Sequence, residues 1–240
     1  MSDERDALAS QRVARVMRVR ERIEHACARA GRQPAEVRLI AVTKYISKEE
    51  TAKLYELGLR EMGENRWQVL REKISADLPV SWHFIGPLQT NKVKEVVRSV
   101  SYVHSLDRKK LADALSAEVQ KAGVRIRALI QVNVTGEPQK SGVTPDQIDG
   151  LLEYVLEQDG IDVAGFMTIG VQGATEYDAR ATFSRLREIR DRAEVRFHVK
   201  LPELSMGMSA DFEWAIEEGA TMVRVGRELT GDGKNLHDSI

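Results

Sequence analysis

Residues 37–44 read Val-Arg-Leu-Ile-Ala-Val-Thr-Lys, the most apolar short run of the chain, and the run ends on a lysine. Ser47 follows after a short turn, with Glu50 three residues later, a pattern that caps the start of a helix. The stretch therefore predicts a buried strand over Val37–Thr43, a lysine at its carboxyl tip and a helix from Lys48. In α/β proteins the loops at this end of the strands carry the chemistry.

Two interpretations of Lys44 are open from this stretch alone. A partly desolvated lysine has a lowered pKa and attacks an aldehyde to form a Schiff base. Alternatively, a lysine at a strand end extends its ammonium group to solvent and has only a structural role.

Strand-like and helix-like segments alternate through the rest of the chain. The predicted strands are Val37–Thr43, Arg60–Met62, Ser81–Ile85, Tyr102–Ser105, Ile126–Val134, Val163–Thr168, Leu204–Met206 and Met222–Val225. The predicted helices between them are Lys48–Leu57, Arg66–Ala76, Asn91–Val97, Arg108–Ala122, Pro145–Gln158, Glu176–Ala193 and Ala210–Glu218. Eight such units predict an α/β protein with a single (β/α)8 TIM-type barrel over about residues 36–231. An extra N-terminal helix over about residues 3–31 precedes it, and residues 1–240 are expected to form one domain. The alternative, an open doubly wound sheet, lacks the Gly-x-Gly-x-x-Gly that dinucleotide binding requires.

Composition excludes several classes of protein. The 240 residues are 42% hydrophobic and 30% charged, with a net charge of −1, which gives no general attraction to nucleic acid or to an anionic membrane. The single cysteine, Cys27, excludes a disulfide framework. There is no signal-peptide pattern and no stretch long enough to span a bilayer, so we expect a cytoplasmic protein.

Polar, glycine-rich residues follow several predicted strands, and two of these loops suggest an anion site. Ser205-Met206-Gly207-Met208-Ser209 leads into a predicted helix for which Ser209 is a suitable N-cap. Gly226-Arg227 follows the eighth strand. Because barrels often hold phosphate in the loops after strands seven and eight, the pair predicts a phosphate site; a helix cap alone is the alternative for the first loop.

Other polar residues leave alternatives open. Arg224 lies in an apolar run, so it pairs either with a carboxylate inside the barrel or with a ligand. Asn65 either caps a helix or contacts a ligand. Lys140 is either solvent-exposed or part of a lid or ligand contact. His83 and His104 are interpreted as core histidines, since they show no metal-ligand spacing, and no metal is predicted.

Several longer strings together resemble a known family. They are Ile40-Ala41-Val42-Thr43-Lys44, Gly63-Glu64-Asn65, Trp82-His83-Phe84-Ile85-Gly86-Pro87-Leu88-Gln89-Thr90-Asn91-Lys92, Gln131-Val132-Asn133-Val134, Lys140-Ser141-Gly142, Gly165-Phe166-Met167-Thr168-Ile169, Leu204-Ser205-Met206-Gly207-Met208-Ser209 and Val223-Arg224-Val225-Gly226. From about residue 5 to Gly231 the chain resembles the pyridoxal phosphate homeostasis proteins, which are related to the N-terminal barrel of alanine racemases.

The resemblance implies a (β/α)8 barrel that binds pyridoxal 5′-phosphate (PLP). It implies that Lys44 holds PLP as a Schiff base, that Arg224 faces the pyridine nitrogen and that Asn65 lies beside the ring. The phosphate is then expected among Ser205, the backbone of Met206, Gly207 and Met208, Ser209, Gly226 and Arg227. One departure is Arg227, which stands where the family commonly has a threonine, so the resemblance does not fix its contact with phosphate. The tail Asp232-Gly233-Lys234-Asn235-Leu236-His237 also differs.

These residues leave three functions open. The resemblance favours a non-catalytic protein of intracellular PLP (vitamin B6) homeostasis that buffers the cofactor or delivers it to PLP-dependent apo-enzymes. The alternative is a racemase-like PLP enzyme, which needs proton transfer on both faces of the substrate. Alanine racemases take their second base from an additional β domain, which we do not expect in a 240-residue chain. Without that domain we expect a monomer. A cofactor-free aldolase would leave Arg224 and the phosphate loops unused.

Overall fold

The strands close into a barrel. The computed structural model describes residues 2–75, 78–137, 140–171 and 173–231. Eight parallel strands pair in chain order and the last pairs with the first, which confirms the predicted (β/α)8 barrel. They are β1 (Arg38–Val42), β2 (Glu61–Glu64), β3 (Ser81–Phe84), β4 (Tyr102–Leu106), β5 (Ile126–Gln131), β6 (Ile161–Met167), β7 (Glu203–Ser205) and β8 (Met222–Val225).

Helices surround the barrel and one precedes it. They are α1 (Ser2–Arg29), α2 (Lys48–Glu56), α3 (Trp67–Lys73), α4 (Val93–Val96), α5 (Lys109–Ala122), α6 (Ile148–Leu156), α7 (Glu176–Phe197), α8 (Phe212–Glu217) and α9 (Arg227–Thr230). The Ser47 hydroxyl accepts from the Glu50 N–H and caps α2, as the sequence predicts. Among the described residues, no helix is both long and apolar enough to cross a membrane.

Some boundaries differ from the predictions. The helix predicted over Ala210–Glu218 is limited to α8, and its N-cap is Asp211, not Ser209. The short helix α9 was not predicted. Ala76, predicted as the end of α3, and the tail 232–240 lie outside the described residues.

Strand β5 is shorter than the predicted Ile126–Val134 because the chain folds back on itself. The Val143 N–H donates to the Gln131 carbonyl at 2.9 Å, and the Asn133 N–H donates to the Val143 carbonyl at 2.8 Å. This close approach requires Gly142, since a Cβ there would lie 2.8 Å from the Asn133 nitrogen and φ is +114°. Conversely, β6 starts two residues before the predicted Val163.

Alternation along the strands separates two environments. Outward side chains pack against the helices and form the main apolar core. A small apolar cluster fills part of the barrel interior, and it contains Ile40, Tyr102, Leu129, Met167 and Met222. Polar side chains contact one another within the same interior; they are Arg38, Glu61, His83, His104, Glu203, Ser205 and Arg224. The barrel therefore encloses a polar network rather than only hydrocarbon.

Helix α1 packs across α8 and α9. Its side chains Val16, Val19 and Ile23 are buried. Arg22 forms ion pairs with Glu213 of α8 and Glu228 of α9. Because α8 and α9 follow the two predicted phosphate loops, α1 supports the backbone on which those loops rest.

Candidate functional site

Lys44 lies two residues beyond the end of β1, at the carboxyl end of the barrel. Val42 pairs with Gly63 of β2, and Ala41 pairs with Val225 of β8. This register brings the turn with Lys44 close to the residues that follow β2 and β8. The side chain is half-buried, and its ammonium lies 4.8 Å from the centre of the Tyr45 ring.

A buried ion pair holds the backbone next to Lys44. The Lys73 ammonium of α3 lies 2.5 Å from a Glu64 carboxylate oxygen and donates to the Thr43 carbonyl at 2.6 Å. The Thr43 hydroxyl donates to the same Glu64 oxygen at 2.6 Å. Burial lowers the pKa of Lys73, and Glu64 opposes that shift. Sequence reasoning missed Lys73, because a lysine in a charged helix gives no signal that it is buried.

Asn65 follows β2 at the same end of the barrel. The residue before α3 is Arg66, so the helix-cap interpretation of Asn65 is wrong. Its backbone is in tight contact with the loop after β3, since a Cβ on Gly86 would lie 2.2 Å from the Asn65 carbonyl oxygen. Asn65 also lines a cleft of about 380 Å³ together with Trp67, Phe84 and Pro87.

Arg224 points into the barrel and is 5% exposed. Its guanidinium donates to the Ser205 hydroxyl at 2.6 Å and to the Thr168 carbonyl at 2.8 Å. Within the described residues no carboxylate lies at ion-pair distance, so the predicted alternative of a carboxylate partner is wrong. Burial lowers the pKa of Arg224 to about 10, and Asp211 opposes the shift. The group is therefore a cation at neutral pH and holds a fixed direction.

The loops after β7 and β8 meet at Ser209 and Gly226. The Gly226 N–H donates to the Ser209 hydroxyl at 3.4 Å, and a Cβ on Gly226 would lie 3.4 Å from the Cβ of Val42. The two loops and the end of β1 are thus neighbours, as a phosphate site near Lys44 requires. Ser209 and Gly226 are both partly exposed, so a ligand can reach them.

Other predicted phosphate contacts are engaged elsewhere. The Met206 N–H donates to the Met222 carbonyl at 3.1 Å, and the Met208 N–H donates to Asp211 at 2.6 Å. Gly207 is buried with φ of +89°, and a Cβ there would lie 2.6 Å from the Ala215 Cβ. Gly207 therefore permits the loop to pack on α8.

Ser205 does not lie at the surface of the phosphate loop. Its side chain is fully buried in the barrel, where its hydroxyl contacts Arg224 and lies 2.9 Å from His104 Nδ1. This placement favours a role behind Arg224 over the predicted phosphate contact. His83 and His104 are fully buried and hydrogen-bonded, as the core interpretation predicts.

Two further cations that the sequence singled out follow β8 and β5. Arg227, in the first turn of α9, is exposed. Lys140 follows β5 and forms an ion pair with Glu137 at 2.6 Å. The described geometry thus brings together a half-buried amine at Lys44, a hydroxyl and an amide at Ser209 and Gly226, and a buried cation at Arg224. This set fits an aldehyde that carries an aromatic nitrogen and a phosphate.

Comparisons with known proteins agree with that fit. The family model of the alanine racemase N-terminal domain matches residues 16–234. The pyridoxal phosphate homeostasis protein of Aquifex aeolicus is 47% identical over 222 residues, which cover 92% of this chain and 97% of that protein. The pyridoxal phosphate homeostasis protein of Pseudomonas aeruginosa is 41% identical over 219 residues, which cover 90% of this chain and 93% of that protein.

Solved structures give the same family. PipY of Synechococcus elongatus PCC7942, solved with PLP bound, has a TM-score of 0.78 at 32% identity and covers 88% of this chain and 100% of its own. An alanine racemase of Clostridium difficile has a TM-score of 0.71 at 13% identity, which shows a shared barrel fold alone. With this fold and these relatives, the chain belongs to the pyridoxal phosphate homeostasis protein family.

Proposed function

We propose that this protein binds PLP as a Schiff base on Lys44 and acts in intracellular PLP homeostasis without catalytic turnover. The observation that carries the proposal is the meeting of Lys44, the Ser209–Gly226 contact and Arg224 at one end of the barrel. The relatives named as homeostasis proteins and the PLP-bound PipY structure support it.

Each residue has a distinct part in this proposal. Lys44 supplies the amine, while Ser209, Gly226 and the first turn of α9 at Arg227 receive the phosphate. Arg224 orients the ring by donating to the pyridine nitrogen, and Asn65 borders the ring. The cofactor supplies an aldehyde and an electron-withdrawing ring when bound. Because Arg224 retains its proton at neutral pH, it does not protonate that nitrogen, and the ring stays a weak electron sink.

A weak electron sink suits a protein that stores the cofactor or passes it on. We propose that a monomer of one barrel domain buffers PLP and delivers it to PLP-dependent apo-enzymes. A transfer assay tests this role. In one arm PLP-loaded protein is mixed directly with a PLP-dependent apo-enzyme, and in the other a dialysis membrane separates the two proteins. Delivery requires faster activation in direct contact than across the membrane, whereas equal rates indicate buffering by simple release.

The binding proposal is tested by absorbance and labelling. PLP-loaded protein should show a visible band that borohydride abolishes, with the reduced label on the Lys44 peptide in mass spectrometry. Lys44→Ala should lose both, and the matched control Lys140→Ala should keep both. A reducible band of full intensity in Lys44→Ala would assign the Schiff base to another lysine.

The alternative is a racemase-like enzyme, which the family model of racemase barrels raises. Loaded protein incubated with L-alanine in deuterated water should show no exchange at Cα on the scale of about 1–1000 turnovers per second, the usual enzyme range. Exchange at such rates would replace the homeostasis proposal with catalysis.

A further inference from the structure

Four side chains behind Arg224 form a continuous line of contacts through the barrel. Ser205 Oγ is 2.6 Å from Arg224 Nη1 and 2.9 Å from His104 Nδ1. His104 Nε2 is 2.9 Å from His83 Nδ1, and His83 Nε2 is 2.6 Å from a Glu61 carboxylate oxygen. The serine and both histidines are fully buried, whereas the Glu61 side chain is 25% exposed at the amino end of the barrel.

The direction of every hydrogen bond in this line follows from Arg224, which carries donors only. Ser205 Oγ therefore accepts from Arg224, and its hydroxyl hydrogen goes to His104 Nδ1. A neutral His104 then carries its hydrogen on Nε2 and donates to His83 Nδ1. His83 in turn carries its hydrogen on Nε2 and donates to the Glu61 carboxylate.

The opposite direction leaves contacts unmade. With both ring hydrogens on Nδ1, His83 Nε2 would present a lone pair to the Glu61 carboxylate at 2.6 Å. The Ser205 hydroxyl would then have no acceptor among the described residues, a cost of about 1–3 kcal/mol for a buried polar group. Only the direction from Arg224 to Glu61 satisfies all four links.

We propose that Glu61, His83, His104 and Ser205 form a directed hydrogen-bond relay that positions Arg224 from the opposite end of the barrel. The four are positioning residues, and only Arg224 faces the ligand. Each donated bond strengthens the next, so the Glu61 carboxylate makes Ser205 a better acceptor for the buried guanidinium. The inference rests on the proposed function only in taking Arg224 as the group that faces the pyridine ring.

Charges in the barrel agree with this assignment. Burial lowers the pKa of His83 and lowers that of His104 well below its usual value, so both rings are neutral near pH 7. Burial has the largest effect on the Glu61 carboxyl and raises its pKa, but the hydrogen bonds from His83 and Ser81 and the nearby positive charge of Arg38 together give a net shift downward, so the terminal acceptor is ionised.

The first test uses ligand-free protein labelled with ¹⁵N-histidine. Long-range ¹H–¹⁵N spectra at pH 7.5 should show two neutral rings with hydrogen on Nε2, assigned by their loss in His83→Gln and His104→Gln. In Glu61→Ala the His83 ring should keep its hydrogen on Nε2, because His104 still donates to Nδ1, but the Nε2–H resonance should shift because its acceptor is lost. Glu61→Gln, whose amide oxygen still accepts, should restore most of the wild-type shift. A cationic ring, an Nδ1–H ring in the wild type, or unchanged histidine spectra in Glu61→Ala would each overturn the relay. If Glu61→Ala does not fold, the wild-type tautomers decide alone.

The second test separates the relay from a phosphate contact at Ser205. Ser205→Ala should raise the Kd for PLP and for pyridoxal by the same factor, roughly tenfold, because it disturbs the ring end through Arg224. The His25→Gln variant, on the exposed face of α1, should leave both unchanged. A larger loss of affinity for PLP than for pyridoxal would place Ser205 at the phosphate and overturn its proposed role behind Arg224. Absence of PLP binding by the wild type would instead refute the proposed function, with the tautomer result still standing.

Discussion

The backbone beside Lys44 depends on a buried charge pair. Lys73 and Glu64 are 3% and 0% exposed, and one carboxylate oxygen of Glu64 has no partner. Removing one charge leaves the other buried and unpaired, which costs about 3–5 kcal/mol. We therefore expect Lys73→Met to lower the free energy of unfolding by that amount in urea titrations.

The double variant Lys73→Met with Glu64→Leu supplies the control. It removes both charges, so it should be less destabilised than Lys73→Met alone. If the effects of the two substitutions on the free energy of unfolding are additive, Lys73 and Glu64 are not coupled, and the pair does not hold the Thr43 carbonyl.

A second residue-scale prediction concerns the phosphate. Ser209 bridges to Gly226 from the loop after β7, and its hydroxyl is partly exposed. Ser209→Ala should weaken the binding of PLP by about 1.5–3 kcal/mol, the value of a hydrogen bond to a charged group. The binding of pyridoxal, which lacks the phosphate, should weaken far less. Isothermal titration with both ligands measures the difference, and equal losses would exclude Ser209 as a phosphate contact.

For single residues, the sequence predicted which side chains are buried better than it predicted which side chains contact one another. A charge within Met222-Val223-Arg224-Val225 predicts a buried arginine with a carboxylate or a ligand as its partner, and the structure confirms the burial. That Ser205 contacts Arg224 depends on which side of β7 faces the barrel interior. The loop pattern Ser-x-Gly-x-Ser does not encode that orientation, and the phosphate contact that the family resemblance implies for Ser205 stays a prediction.

Among the elements, α1 is an addition to the barrel that stabilises α8 and α9. Ile23 is 6% exposed in its packing face, whereas Met17 on the same helix is 59% exposed. Ile23→Ala should lower the free energy of unfolding by about 2–5 kcal/mol because it leaves a cavity. Met17→Ala should change it by less than about 0.5 kcal/mol. Urea titrations of both variants test this, and equal effects would show that α1 does not pack as described.

Element types were predictable because apolar periodicity reports which face is buried. The boundaries of the elements were less predictable where a tertiary contact ends a strand or a helix. Strand β5 stops at Gln131, although Val132 and Val134 are apolar. The residues that follow Gln131 form an isolated bridge with Val143 and do not continue the strand. Likewise α8 begins after Asp211, whose carboxylate accepts from the Met208 N–H of the preceding turn, a contact that the capping pattern of Ser209 does not reveal.

For the whole molecule, the eight-fold alternation predicted a closed barrel, but not that its interior is polar. Charged and titratable groups face the two buried histidines from several strands; they are Arg38, Glu61, Tyr102, Glu203 and Arg224. These five residues come from five different strands, and the two histidines come from β3 and β4, so no single segment of sequence contains the network. This interior makes stability depend on pH.

The pH dependence has a definite sign. Burial lowers the pKa of His83 and, further, that of His104, from an ordinary value of 6.5. Below about pH 6.5 the unfolded chain therefore binds protons that the folded barrel does not, and the free energy of unfolding falls as pH falls. Each histidine contributes up to about 1.4 kcal/mol per pH unit in this window. Carboxylates whose pKa is lowered from 4.5, such as Glu61, act only at lower pH.

Urea titrations between pH 7.5 and 5.5 measure this slope. The wild type should be nearly constant near pH 7.5 and lose stability as the pH falls below about 6.5, and His104→Gln should lose it less steeply because one buried titration is removed. His25→Gln, which changes an exposed histidine of α1, should keep the wild-type slope. A wild-type stability that does not change over this range would mean that the interior accepts a proton at no cost. The two rings could then not be the neutral links that join Arg224 to Glu61.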